Sequence, residues 1–91
     1  MTFEFDGKQL KIQFSTYENN GRLAVQIVTM EGEPYATLST NVNRIELQDK
    51  EFVAKTYSEN VEIAEACKHL FEDTGLTVQT GYVHSPIWKV K

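Results

Sequence analysis

Apolar and polar residues alternate through much of the first half of the chain, which is the period of a β-strand with one face in a core. Phe3 and Phe5, then Leu10, Ile12 and Phe14, fall on one side of two such runs, and Asp6-Gly7 between them is a hairpin turn signal. Asn20-Gly21 marks a second reversal, after Tyr17 and before a third strand in which Leu23, Val25 and Ile27 face the core. A third reversal is predicted at residues 31–34, where Gly32 permits a positive φ and Pro34 presets the entry to a fourth strand over residues 35–38. Residues 39–48 lose the alternation. Asn41 and Asn43 there compete for backbone hydrogen bonds and predict a loop, with a short strand at 44–47. After a turn at Asp49-Lys50, residues 52–57 are rich in β-branched and aromatic side chains and read as a further strand.

The period then changes from two to 3.6. Ile63, Cys67, Leu70 and Thr74, flanked by Ala66 and Phe71, predict a helix over about residues 60–73. Ser58 or Asn60 can cap it, Glu59 and Glu62 complement its dipole, and Gly75 suits the left-handed residue after the last turn, with Leu76 packing back on Phe71. Residues 77–83 read as a strand, Ser85-Pro86 as an interruption, and residues 87–90 as a short terminal strand. The predicted class is α+β: a curved antiparallel β-sheet, a meander of hairpins, packed against one α-helix in a single domain over residues 1–91.

Composition narrows the function classes. Ninety-one residues leave no material for a second core, and 41% hydrophobic with 24% charged residues is a globular balance. No apolar run approaches the roughly 18 residues of a membrane helix, and no basic-then-apolar stretch opens the chain, so a cytoplasmic protein without membrane association is expected. Cys67 is the only cysteine, which excludes an intrachain disulfide and fits a reducing compartment.

The net charge of −4 is concentrated at residues 59–73, where Glu59, Glu62, Glu65, Glu72 and Asp73 face only Lys68. On a helical wheel Glu62, Glu65, Glu72 and Asp73 share an arc with His69, opposite Ile63 and Leu70. That arc is either the solvated face of an amphipathic helix or a docking surface for a basic partner. Glu65, His69 and Glu72 also have the spacing of metal ligands. An open helix face offers no hydrogen bonds to orient such ligands, so an ion pair is expected there and neither metal nor cofactor. Cys67 lies on the apolar stripe and is expected to be a buried hydrophobe, leaving no nucleophile and no catalytic residue. The glycines are single residues at turns and form no phosphate loop. Acidic charge and isolated lysines argue against nucleic acid, so Phe3, Phe5, Phe14 and Phe52 are expected in the core. Tyr35, Tyr82 and Trp88 lie beside turns or Pro86, where an aromatic ring either lids the core or anchors a partner.

Three stretches carry a resemblance: residues 34–41 (Pro34-Tyr35-Ala36-Thr37-Leu38-Ser39-Thr40-Asn41), residues 52–60 ending Ser58-Glu59-Asn60, and Thr74-Gly75 with Gly81-Tyr82-Val83. In order and spacing the chain resembles a family of small domains of unknown function carried by bacterial phages, plasmids and conjugative elements. It departs from that pattern at Asn41-Val42-Asn43-Arg44, where the family tends to have a proline. The resemblance implies a mobile-element accessory protein and brings no catalytic residue with it. The expected function is a non-enzymatic protein-binding module, a monomer or weak homodimer. Its candidate contacts are Glu62, Glu65, His69, Glu72 and Asp73, the loop residues Asn41, Asn43 and Arg44, and the aromatics Tyr35 and Trp88. The alternative is a counter-defence inhibitor of a host restriction or CRISPR-type nuclease, acting through the acidic helix face.

Overall fold

The computed structural model describes residues 1–91. The chain forms strands β1 (Thr2–Phe5), β2 (Lys8–Thr16), β3 (Leu23–Thr29), β4 (Pro34–Thr37), β5 (Ser39–Thr40) and β6 (Glu51–Ala54), then helix α1 (Val61–Cys67), then β7 (Phe71–Thr80) and β8 (Val83–Val90). Single 3-10 turns at Ser58–Asn60 and Lys68–Leu70 flank α1. The fold is α+β, but the strands divide between two antiparallel sheets, ordered β1-β2-β3-β4 and β5-β6-β8-β7, where the sequence suggested one.

The first sheet is the expected meander. Asp6 and Gly7 both take positive φ, 53° and 73°, the backbone of a tight two-residue hairpin, and set Phe5 opposite Lys8. Register then places Phe3, Leu10, Ile12, Val25 and Ile27 in buried rows on one face. Leu38, fully buried, is the corner at which the chain changes sheets: its N–H donates to Val25 O at 2.9 Å, and its carbonyl accepts the Lys55 N–H at 2.6 Å. The next residue, Ser39, accepts the Val25 N–H on Oγ at 2.9 Å while its backbone pairs with Ala54 of β6.

On the inner face of the second sheet Phe52, Phe71 and Trp88 form an aromatic cluster, with ring centroids 5.2 to 6.3 Å apart. It joins Ile63, Ala64 and Cys67 of α1 and the buried rows of the first sheet in one core. This packing ends the helix early. α1 stops at Cys67, and Phe71 is extended at φ −128° and ψ 162° because its ring belongs to the aromatic cluster. Local hydrogen bonds oppose a longer helix as well: Asp73 accepts the Gly75 N–H at 2.9 Å, and Thr74 Oγ1 accepts the Leu76 N–H at 3.2 Å. Gly75, at φ 82°, therefore lies in a register shift of β7 and is not a helix cap, and Leu76 is exposed rather than packed on Phe71. Neither Ser58 nor Asn60 caps α1. Asn60 is buried and gives its amide to Thr37 O at 2.6 Å and Lys55 O at 3.1 Å.

Residues 44–47 form no strand. Val42, Ile45 and Leu47 instead pack over Val53 and Ile87 on the outer face of the second sheet, so the loop is that face's cover. Pro86 does not interrupt β8: it lies one residue beyond Ile87, the last residue of β8 paired with β6. No helix is long and apolar enough to cross a membrane.

Candidate binding groove

β2 and β3 carry their core-facing rows past the cover of the second sheet. Leu10 and Ile12 are buried, whereas Phe14, next in the row, is 40% exposed, which corrects its expected place in the core. Phe14, Thr16 and Leu23 form one wall of an open groove of about 600 Å³, and residues 46–51 with Val90 form the other. Such a volume is typical of ligand-sized clefts. Its apolar lining comes from Phe14, Leu23, Leu47 and Val90. Its rim carries the carboxylates of Glu46, Asp49 and Glu51 and the cations of Arg22 and Lys50.

The rim is anchored at both ends. Glu51 accepts the Gln48 N–H on Oε1 at 2.8 Å, and Lys50 O accepts the Val90 N–H at 3.0 Å, which fixes the turn to β8. At the other end Arg22 donates from Nη1 to Val42 O at 2.8 Å and from Nη2 to Ile45 O, the planar fork matching two carbonyls of the loop. Beside it the Asn20 amide donates to the side-chain oxygens of Asn41, at 2.9 Å, and Asn43, while the Asn41 amide donates to Asn19 Oδ1 at 3.0 Å. Asn41 and Asn43 thus bind the β2-β3 turn to the loop. Arg44 reaches the far side of the sheet and donates to Gln79 O of β7.

The residues of the expected acidic helix face do not share one helix. Glu62 and Glu65 are on α1, His69 is in the following 3-10 turn, and Glu72 and Asp73 are on β7. Glu65 pairs with Lys68, and Glu72 stands opposite Lys89 in the β7-β8 register. No three of the His, Cys, Asp and Glu side chains gather as a metal-ligand set. Trp88, 6% exposed, is a core residue and no partner anchor. Tyr35 is half-buried against the core, under the Lys8 ammonium at 5.6 Å, and lines a smaller hollow of about 400 Å³ with Phe5, Asn60 and Val61. Beside that hollow, a hydrogen bond from Lys55 at 2.9 Å holds the Glu59 carboxyl below the usual carboxylate range. Phe14, Arg22, Glu46, Leu47 and Asp49 were not singled out from sequence as site residues. The signals available for them were an apolar row outrunning its cover and the apolar spacing of Val42, Ile45 and Leu47.

Cys67 is fully buried, its thiol facing Ala64 O at 3.7 Å, and burial pushes its pKa up to about 11 from 9.0. The unfolded chain therefore loses this proton first. Below pH 9 the thiol is neutral in both states and adds nothing; between pH 9 and 11 stability falls by about 1.4 kcal/mol per pH unit on its account. Urea unfolding across that range is expected to show this decline in the native chain and a correspondingly shallower one in Cys67→Ala. No family model, curated protein or solved structure matches the chain.

Proposed function

We propose that the chain is a non-catalytic protein-binding module, an accessory protein of the mobile-element kind its resemblance implies, and that the groove is its recognition surface. The observation that supports this reading is Phe14, an aromatic ring uncovered at the mouth of an open groove while Leu10 and Ile12 of its row are buried. Covering such a ring is worth about 25 cal/mol per Å² of apolar surface, available to any segment shaped to enter. The occupant we assign is a short stretch of a protein partner that places an apolar side chain against Phe14, Leu23, Leu47 and Val90. A neighbouring Lys or Arg of that stretch reaches Glu46, Asp49 or Glu51. Arg22 holds the loop carbonyls, so the carboxylates dominate what the rim offers a ligand.

A peptide-display selection against the native chain tests this. Enriched sequences are expected to combine an aromatic or aliphatic residue with a nearby basic one. Their affinity should fall about tenfold or more with Phe14→Ala, the loss of an apolar anchor, and in the same direction with Glu46→Lys combined with Asp49→Lys. Peptides that bind the Phe14→Ala protein as well as the native one would remove the groove from the account.

A further inference from the structure

β7 is an edge strand whose only strand neighbour is β8. At ten residues it is the longest edge of the molecule, against four residues in each of β1 and β4 and two in β5. The register pairs Thr80 with Val83 across the Gly81-Tyr82 turn, and in a two-residue hairpin that closing pair is hydrogen-bonded inward. Thr80 and Val78 therefore bond towards β8, while Thr77 and Gln79 turn their N–H and C=O groups outward. Arg44, whose guanidinium takes the Gln79 carbonyl, agrees with that parity.

Edges that avoid pairing carry charge, proline or a bulge. In β7 the register shift lies between Asp73 and Thr77 and leaves residues 77–80 regularly paired. Residues 74–83 hold no charged side chain, in a chain where 24% of residues are charged. Leu76, 59% exposed, and the fully exposed Tyr82 lie within this neutral stretch, on either side of residues 77–80.

We propose that residues 77–79 of β7 pair antiparallel with the same residues of a second copy of the chain, across a two-fold axis at Val78. Thr77 of one copy then stands opposite Gln79 of the other, and their outward groups exchange four hydrogen bonds. Neutrality is what singles out a second copy as the occupant. A two-fold pairing brings a strand against its own side chains, and like charges set opposite one another destabilise a ladder. Joining the two edges makes one continuous eight-stranded sheet. Arg44 is the competing group, because in the single copy it already occupies the Gln79 carbonyl. The pairing is independent of the groove, which lies on other elements.

Sedimentation velocity on a dilution series tests the proposal with the native chain, Arg44→Ala, Gln79→Lys and Thr77→Pro, folding being verified by the fluorescence of Trp88. Thr77→Pro removes an outward N–H and leaves the β7-β8 ladder intact; Gln79→Lys adds like charges at the seam. The native chain is expected to dimerise reversibly. Arg44→Ala should tighten the dimer about tenfold, and Gln79→Lys and Thr77→Pro should each leave a folded monomer. A native chain that stays monomeric at the highest concentration, or a dimer that survives both Gln79→Lys and Thr77→Pro, overturns it. A dimer seen with Arg44→Ala alone also overturns it for the native protein.

Discussion

Phe52→Ala is expected to lower the unfolding free energy by about 3–5 kcal/mol, the usual cost of emptying a large aromatic site. Phe52 is 1% exposed and meets Phe71 edge-on at 5.2 Å and Trp88 at 6.3 Å. Its removal therefore takes away two aromatic contacts as well as apolar burial. Domains of this size are stable by about 5–15 kcal/mol, so the variant should unfold at much lower urea or not fold at all. Trp88 is the only tryptophan and lies in the same cluster, which makes its emission the natural readout. Phe52→Leu retains most of the volume and should cost less than Phe52→Ala. Equal losses from the two substitutions would mean that the ring contacts with Phe71 and Trp88, rather than the volume that Phe52 fills, carry the stabilisation.

The second large effect belongs to Arg22. Removing its side chain leaves Val42 O and Ile45 O without their charged donor, and the loop over Val53 and Ile87 loses its anchor to the β2-β3 hairpin. Arg22→Ala is expected to cost about 2–3 kcal/mol in urea unfolding, the range of hydrogen bonds to a charged group in a part-buried setting. Amide exchange over residues 41–48 should accelerate at the same time. Arg22→Lys should recover little, since a single ammonium cannot reproduce the planar fork over two carbonyls. Unchanged exchange in that loop would show that the apolar contacts of Val42, Ile45 and Leu47 suffice to hold it.

These two sites mark where the sequence was legible and where it was not. The hairpins were, because Asp6-Gly7 and Asn20-Gly21 impose local geometry regardless of what surrounds them. The start of the helix was legible for the same reason, since Ile63 and Cys67 share a stripe that must be buried. Its end was not. Phe71 fits the helical period as well as it fits a strand, and a tertiary contact with Phe52 and Trp88 decides between them. The acidic helical arc went with that choice, because Glu72 and Asp73 moved to β7. The Gly81-Tyr82 turn was hidden within an apparently continuous strand because it lacks the Asn-Gly or Asp-Gly signature. The groove was the least legible feature of all. It arises where β2 and β3 extend past a second sheet, a relation between elements distant in sequence that no local pattern records.

The groove's role is tested most directly by titrating the isotopically labelled native chain with a peptide carrying one aromatic residue between two arginines, following each backbone amide by NMR. The account predicts saturable shifts centred on Phe14, Thr16, Leu23, Leu47 and Val90, abolished by Phe14→Ala. Shifts centred instead on Glu62 and Glu65 of α1, or on Asn41 and Asn43, or no saturable shift at all, would contradict it.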